Sequence, residues 1–349
     1  MRLEPREGAS LALTIGAPAA AILLSLGLAI IPLVAAGAPV GQAFVEMIDG
    51  ALGSRFALTE TLARATPLIL TGLAAVVAFR AKLWNIGAEG QLYAGALAAV
   101  MVGSGAIVAP PIVMIPTVLI AGALAGALLM LVPTLLKIRL GVDEVVTTLL
   151  LNFVVLLFVQ MMLEGPMQDP MSLGWPQSAP IIDQATLPTL LARTRVHAGL
   201  IVAIVAAILV WVMIERTVWG YEVRATGANP DAARFAGMRI GRIMIRVGLL
   251  SGALAGLAGV GEVAGLKGYL TRDLSPGFGY SGIAVAMLAQ LNPLGVLAAA
   301  FFVAAVFVGA DSMGRALGVS SYIADLIVAT ALLSMLLAGL FTRYRLRWR

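Results

Sequence analysis

The polar side chains that could do chemistry are concentrated in one stretch, LWNIGAEGQ, residues 83–91, at the edge of a long apolar segment. Asn85 is a good helix cap, and Glu89 follows one turn later on the same side. A carboxylate in a low-dielectric setting must be hydrogen-bonded, ion-paired or protonated. Two interpretations stay open. Asn85, Glu89 and Gln91 either form a polar patch that faces a passing solute or its gate, or they cap and bond the helices at a break.

Two further amides, Asn152 and Gln160, lie eight residues apart and therefore share one face of a single predicted helix. Uncharged amides inside a helical bundle suit a neutral, hydroxyl-rich or heterocyclic solute better than an ion. Asp143 and Glu144 come just before them and begin the same helix, a position that the helix dipole alone favours.

Several kinds of chemistry are excluded by what the sequence lacks. There is no cysteine, so thiolate metal sites and cysteine nucleophiles are ruled out. His197 is the sole histidine, and no acid or serine stands at motif spacing from it. No GxxxxGK[ST] loop occurs, so any ATP-driven work needs another subunit. We therefore predict a chain that is not an enzyme, has no catalytic or metal site, and binds no cofactor itself.

A charged segment, GYEVRATGANPDAARFAG at 220–237, stands between apolar runs. Asn229 reads as a helix cap, Pro230 as the first helical residue, and Asp231 as an acid favoured by the dipole. The helix would run for about two turns, through Arg234 and Phe235, before Gly237 ends it in the left-handed conformation. A short helix in such a loop is typical of a docking device.

The composition identifies the class of protein. It is 60% hydrophobic and 12% charged, and many apolar runs approach or exceed the roughly 20 residues that cross a bilayer. The alternation expected of a membrane barrel is absent, so we predict an all-α polytopic membrane protein. The first apolar run is too long for a signal peptide, and we expect it to be kept as an anchor. The net charge of +5 indicates no nucleic-acid partner, because the positive residues are distributed by membrane topology and are not gathered into one binding face.

About ten transmembrane helices are predicted, at 10–36, 58–79, 86–104, 112–136, 144–163, 196–215, 245–264, 279–291, 294–310 and 322–341. With this count, 16 of the 23 Lys and Arg residues fall on one face, which the positive-inside rule makes cytoplasmic. Both termini are then cytoplasmic. The segment 279–291 is too short to cross alone, so we expect a half-helix or re-entrant segment there.

The whole chain, 1–349, reads as one membrane domain with a weak two-fold internal repeat. The first repeat covers about 58–165 and the second about 245–342, and each contains a glycine-laced break at a matching position, 85–90 in the first repeat and 277–282 in the second. Duplicated halves with interrupted helices are typical of transporters. An external loop at 164–195 and a cytoplasmic loop at 216–245 join the two repeats.

Four segments together resemble the permease subunits of ABC importers of the branched-chain amino acid and simple-sugar type, and most closely their purine-nucleoside (guanosine) branch. The segments are TPLILTGLAAVVAFRAKLWNIGAEGQ at 66–91, GVDEVVTTLLLN at 141–152, the segment 220–237 and the block 281–311. The resemblance covers nearly the whole chain from about residue 58. It implies a multi-pass permease of a bacterial inner membrane.

The resemblance also implies partners and roles. ATP and Mg²⁺ would be bound by a cytoplasmic ATP-binding subunit that docks on the family's coupling helix, which falls on 229–237. A paralogous second permease and an extracytoplasmic solute-binding lipoprotein would complete the importer around a small-molecule solute. Nucleosides are the first expectation, with ribose, other simple sugars and branched-chain amino acids as alternatives. A carrier driven by an ion gradient and a structural membrane protein are alternatives from other classes.

Overall fold

The computed structural model describes residues 2–5, 11–105, 107–319 and 344–347, with six further positions between 326 and 337. Within these residues the regular secondary structure is helical, apart from two paired strands of four residues each. In chain order the elements are β1 Arg2–Pro5, α1 Leu11–Ala35, α2 Val40–Leu52, α3 Arg55–Arg80, α4 Ala88–Gly103, α5 Pro111–Leu140, α6 Glu144–Leu163, α7 Gly199–Arg216, α8 Val218–Ala228, α9 Pro230–Phe235, α10 Ile240–Glu262, α11 Phe278–Leu288, α12 Gly295–Leu317 and β2 Tyr344–Arg347.

Among the residues that the structure describes, six helices are long and apolar enough to cross a membrane: α3, α5, α6, α7, α12, and α10 with the π-helical turn that continues it to Lys267. A seventh crossing arises if Gly27–Ala35 and Val40–Leu52, bent by 116°, count as one broken span. The prediction of an all-α membrane protein is confirmed at this level, but the count of about ten spans is not. Helices α4 and α11 have only 16 and 11 residues, and the predicted span 322–341 lies mostly outside the described residues.

The chain divides into two compact units. The first comprises Met1–Arg64, Met287–Gln290 and Phe301–Arg349. In it β1 and β2 pair antiparallel, with Arg2 opposite Arg347, so the two end segments of the chain lie side by side.

The second unit, Ala65–Ala286 with Leu291–Ala300, contains both breaks and the polar cluster. Its centre is the contact of α4, α5 and α10, where glycines let the backbones touch. A Cβ built at Gly252 would overlap the carbonyl oxygen of Gly126, and one built at Gly256 would overlap that of Gly122. The glycine- and alanine-rich run 252–259 of α10 therefore packs closely against α5.

Because the backbones touch here, we expect a single added methyl group to destabilise the protein. We expect Gly256→Ala to lower the free energy of unfolding by about 2 kcal/mol, because the new Cβ has no room, although alanine alone favours a helix by about 1 kcal/mol. Gly241→Ala is the matched control in α10, since the nearest atom, Ile138 Cγ2, is 3.5 Å from its added Cβ. Thermal unfolding of the detergent-purified chain measures both. Equal stability of the two variants would contradict the tight contact.

The loop at 164–195 is packed along the segment that follows α10. Ile181 N–H donates to the Gly268 carbonyl at 2.8 Å, and Leu187 N–H to the Ala264 carbonyl at 2.7 Å. The loop contains two short 3₁₀ turns, Pro170–Ser172 before these contacts and Asp183–Ala185 between them. The loop therefore covers the end of α10 and is more than a free connector.

Candidate functional site

The short helix predicted in the charged segment is present as α9, Pro230–Phe235. The Asn229 side chain accepts hydrogen bonds from the N–H groups of Asp231 at 3.0 Å and Ala232 at 3.1 Å, which fixes the first turn. Gly237 follows with a φ of +84°, the left-handed conformation predicted for the end. The local structure predicted from the sequence is therefore confirmed.

Helix α9 presents most of its side chains to solvent. Phe235 is 96% exposed, an unusual position for a large aromatic ring without a partner. Asp231 and Arg234 form an exposed ion pair one turn apart, with Arg234 Nη1 3.2 Å from Asp231 Oδ1. One residue, Ala233, is buried and holds the helix to the protein.

The helix before α9 is anchored directly to the ends of the long helices. Arg224 bonds the Ile214 carbonyl at the end of α7 and lies 3.5 Å from the Glu215 carboxylate. Arg80, the last residue of α3, lies 3.2 Å from the same carboxylate. Gly227 packs so closely on the Arg80 carbonyl that a Cβ there would overlap it. Helix α8, which leads into α9, is therefore bonded and packed to the ends of both α3 and α7.

The first break contains a closed pair of amides. Asn85 Nδ2 donates to Gln91 Oε1 at 2.8 Å, and Gln91 Nε2 donates back to Asn85 Oδ1 at 2.9 Å. Asn85 also donates to Ser251 Oγ on α10 at 2.9 Å, and Ser251 donates to the Ala74 carbonyl on α3 at 2.7 Å. All three side chains are buried, so the pair ties the break to α3 and α10.

One face of α6 satisfies the backbone of the break. Glu144, Thr148 and Asn152 lie four residues apart and form a column on this face. Glu144 Oε1 accepts from Trp84 N–H at 3.1 Å, and Thr148 Oγ1 accepts from Ile86 N–H at 3.2 Å.

Asn152 completes the column with two bonds to the backbone. Its Oδ1 accepts from Gly90 N–H at 2.8 Å, and its Nδ2 donates to the Ile86 carbonyl at 3.0 Å. Nδ2 also donates to the Tyr280 hydroxyl at 3.1 Å. A continuous helix would satisfy these backbone N–H and carbonyl groups internally. Here side chains of α6 supply their partners, and this permits a break in the helix among apolar neighbours.

Glu89 joins the two breaks. Its carboxylate accepts from Gly279 N–H at 2.7 Å, in the first turn of α11, where an anion is favoured by the exposed N–H groups and the dipole. Gly279 has no room for a side chain, since a Cβ would overlap the Glu89 backbone nitrogen. The first turns of α4 and α11, which follow the two breaks, therefore meet at this carboxylate.

Of the five predicted pathway residues, four are brought together and one is not. Asn85, Glu89, Gln91 and Asn152 are buried around the first break. Gln160 is half-buried and donates to the Glu164 carboxylate at 2.8 Å within its own turn of α6. The eight-residue spacing from Asn152 predicted that both amides share one face of α6. Over these two turns the buried face of α6 rotates away from Gln160, so Gln160 does not join the cluster.

Several residues of the cluster were not singled out by the sequence. Ser251, Thr148 and Tyr280 are common residue types in helices, and only their partners reveal them. Lys137 could have been found, because it and Glu144 flank the turn between α5 and α6 at opposite charge, and the two form an ion pair. Asp143 caps α6, accepting from Val145 N–H at 2.7 Å.

His197 lies apart from this cluster, two residues before α7, and is only 1% exposed. Its Nδ1 accepts from Gly199 N–H at 3.1 Å, while its Nε2 is buried with no hydrogen-bond partner within the described residues. Burial lowers the pKa of His197 to about 4. The imidazole is therefore neutral in the folded chain at neutral pH.

This pKa predicts acid sensitivity. The unfolded chain takes up the proton near pH 6.5 and the folded chain near pH 4, so stability is complete above pH 6.5 and falls as the pH drops through this window. We expect a loss of about 3 kcal/mol from this group, measured by unfolding at a series of pH values. His197→Gln should flatten the curve. A variant with the same acid sensitivity as the wild type would contradict the assignment.

Within the part of the chain that the structure describes, no group of three His, Cys, Asp or Glu side chains could hold a metal ion. The arrangement is that of helices broken and rejoined by hydrogen bonds, with one exposed helix tied to their ends. These hydrogen bonds connect the broken helices to α3, α6 and α10.

Comparison with known proteins identifies the class. The family described as the branched-chain amino acid transport system, permease component, matches residues 57–341. The glucose ABC transporter permease protein of Haloferax volcanii is 37% identical over 355 residues, which cover 99% of this chain and 93% of that protein. The guanosine ABC transporter permease protein of Bacillus subtilis is 35% identical over 318 residues, 90% of this chain and 91% of that protein.

A third relative is the nucleoside ABC transporter permease protein of Lactococcus lactis, 34% identical over 278 residues, which are 77% of this chain and 76% of that protein. The chain belongs to this family of ABC transporter permeases. It is a multi-pass membrane subunit for transport and not an enzyme, and it works with an ATP-binding subunit and a substrate-binding partner. The resemblance drawn from the sequence is confirmed.

Proposed function

We propose that this chain is a permease subunit of an ATP-driven importer of nucleosides. The choice of nucleosides as the solute rests on the similarity, at 35% and 34% identity, to permeases named for guanosine and for nucleosides. A nucleoside is neutral, heterocyclic and rich in hydroxyl groups, which agrees with a bundle whose buried polar groups are mostly amides and hydroxyls. ATP and Mg²⁺ are bound by the partner subunit and not by this chain.

The chain lies in the bacterial inner membrane with both termini in the cytoplasm. The pairing of β1 with β2 supports placing both end segments on the same side of the membrane. The positive-inside rule supports it too, since the basic residues of the chain ends and of the loop at 216–245 share that side.

Helix α9 is the coupling helix on which the ATP-binding subunit docks. Asp231, Arg234 and Phe235 are its contact residues, because all three are exposed on a helix that α8 ties to the long helices. Asn229, Pro230 and Gly237 set its start and end. ATP binding draws the partner subunits together, and the displacement of α9 changes the opening of the bundle. A second, paralogous permease and an extracytoplasmic lipoprotein that delivers the solute complete the importer.

The pathway runs beside the first break, within a two-fold repeat of about 58–165 and 245–342. Asn85, Gln91 and Asn152 keep the wall of the pathway rigid, and Glu89 joins it to α11. The meeting of α4 and α11 at Glu89 supports the repeat, since each helix follows the break of its own half. Gln160 lies farther along α6, where its half-buried side chain bonds Glu164 and is a candidate contact for solute or partner.

A sugar is the second candidate solute. The 37% identity to a glucose permease, over 99% of this chain, favours it specifically. A monosaccharide shares the hydroxyl groups of a nucleoside but lacks its flat base. The two candidates therefore differ in whether an aromatic surface is needed in the pathway.

Uptake in cells with and without this gene tests the proposal. We expect labelled guanosine and adenosine to accumulate only when the gene is present, while glucose, ribose and leucine enter equally in both strains. A deficit confined to glucose would move the assignment to the sugar branch, and one confined to leucine would reject the nucleoside assignment.

A further inference from the structure

A cleft of about 440 Å³ opens beside α9, and its lining does not belong to the cluster at the breaks. Helix α8 forms one wall with Val218, Tyr221 and Glu222, and the first two turns of α10 form the other. The link from α9 to α10 closes one end. A cleft of this volume is in the range of sites that hold a small ligand or a lipid headgroup.

Three arginines dominate the cleft: Arg239, Arg242 and Arg246. Arg239 is the residue just before α10, and Arg242 and Arg246 follow about one and two turns later on the adjoining face of the helix, so the three form a column about 10 Å long. All three are exposed, and none has an ion-pair partner among the residues that the structure describes. Glu222 is the one carboxylate in the lining, so the cleft has an excess of two positive charges.

Two arginines of the column lie on a helix that can span the membrane. Arg242 and Arg246 belong to Ile240–Lys267, one of the helices long and apolar enough to span the bilayer. A cation on such a helix is stable where it reaches the headgroup region and finds an anion. Val218 and Tyr221, at 78% and 57% exposure, give the cleft an apolar and aromatic edge, as is usual at a membrane interface.

We propose that this cleft binds the phosphate headgroup of an anionic phospholipid from the cytoplasmic leaflet, beside the proposed coupling helix. Guanidinium groups recognise phosphate oxygens in pairs, and a column of three can follow a headgroup and its glycerol backbone. The position on a spanning helix favours a lipid over a free phosphate, which has no need of an apolar edge. The inference uses the proposed orientation and does not depend on the solute.

Native mass spectrometry of the purified full chain, titrated with phosphatidylglycerol or phosphatidylcholine, tests the proposal. We expect one phosphatidylglycerol to bind the wild type, with phosphatidylcholine binding far more weakly. Arg242→Gln with Arg246→Gln should weaken phosphatidylglycerol binding about thirtyfold, from the usual contribution of a basic residue at an anionic leaflet. Arg242→Lys with Arg246→Lys should weaken it less, because the charge is kept while paired bonds are lost.

The matched control is Arg139→Gln with Arg216→Gln, which removes the same charge from the ends of α5 and α7 and should leave binding unchanged. If the control weakens binding equally, the lipid responds to the overall positive charge and not to this cleft, and the proposal is wrong. Displacement by inorganic phosphate at equal concentration would identify a free anion as the ligand and overturn the lipid. If the Gln pair keeps lipid but loses the copurifying ATP-binding subunit, the cleft is a protein contact and the proposal is wrong. None of these readouts requires transport.

Discussion

Exchanging the two charges of α9, by Asp231→Arg with Arg234→Glu, is expected to abolish uptake while the chain remains in the membrane. The two side chains form an exposed pair at 3.2 Å, and the exchange keeps such a pair but reverses its direction. A docking surface recognises the order of charges, and reversing it places like charges opposite each other. We expect binding of the ATP-binding subunit to weaken by about a hundredfold, as is usual for the central contacts of an interface.

The control for this variant is Asp231→Glu with Arg234→Lys, which keeps each charge at its place. Asn229 still caps the helix in both variants, and unfavourable dipole contacts cost the exchanged one only a few tenths of a kcal/mol. The measurements are copurification of the ATP-binding subunit and uptake of labelled guanosine by cells. Full uptake by the charge-exchanged variant would show that α9 is not the docking site of the ATP-binding subunit.

Asn152→Leu has the second large effect that we expect. Leucine fills the same space but leaves Gly90 N–H and the Ile86 carbonyl without their partners in a buried, apolar setting. An unsatisfied buried backbone group costs about 1–3 kcal/mol, so the free energy of unfolding should fall by about 2–5 kcal/mol. Thermal unfolding of the purified chain in detergent measures the loss.

Gln160→Leu is the matched control, since it removes an amide from the same helix that bonds only Glu164. Its stability should stay within about 0.5 kcal/mol of the wild type. A stable Asn152→Leu chain that binds solute weakly would show that Asn152 is a solute contact and that its bonds to the break are secondary.

Features encoded locally could be predicted from the sequence. The start of α9 needs only Asn229, Pro230 and Asp231 in a row, because capping depends on residues two or three apart. The same holds for the close helix contacts around Gly256, where a run of small residues leaves no alternative to tight packing. The class of protein followed from composition and from four short segments.

Elements whose stability comes from packing could not be predicted. Helix α8 contains Gly220 and Gly227, which argue against a helix, yet both are required where α8 crosses the carbonyl groups of neighbouring helices. Helix α2 was missed because 13 residues after a sharp bend resemble a loop between spans.

The polar cluster was located but its bonding was not. Residue types in the stretch 83–91 indicated a break with polar contacts. Only the fold brings Ser251 to Asn85 and Gly279 to Glu89, over separations of 166 and 190 residues. The sequence therefore left both solute contact and helix fixing open for Asn85 and Gln91, whereas their mutual pairing favours helix fixing.

Transport in proteoliposomes that contain this permease, its second permease and the ATP-binding subunits tests the central claim most directly. With the solute-binding protein outside, ATP inside is predicted to drive accumulation of labelled guanosine, and a proton or sodium gradient without ATP is predicted to drive none. Accumulation driven by an ion gradient in vesicles that hold this chain alone would contradict the account.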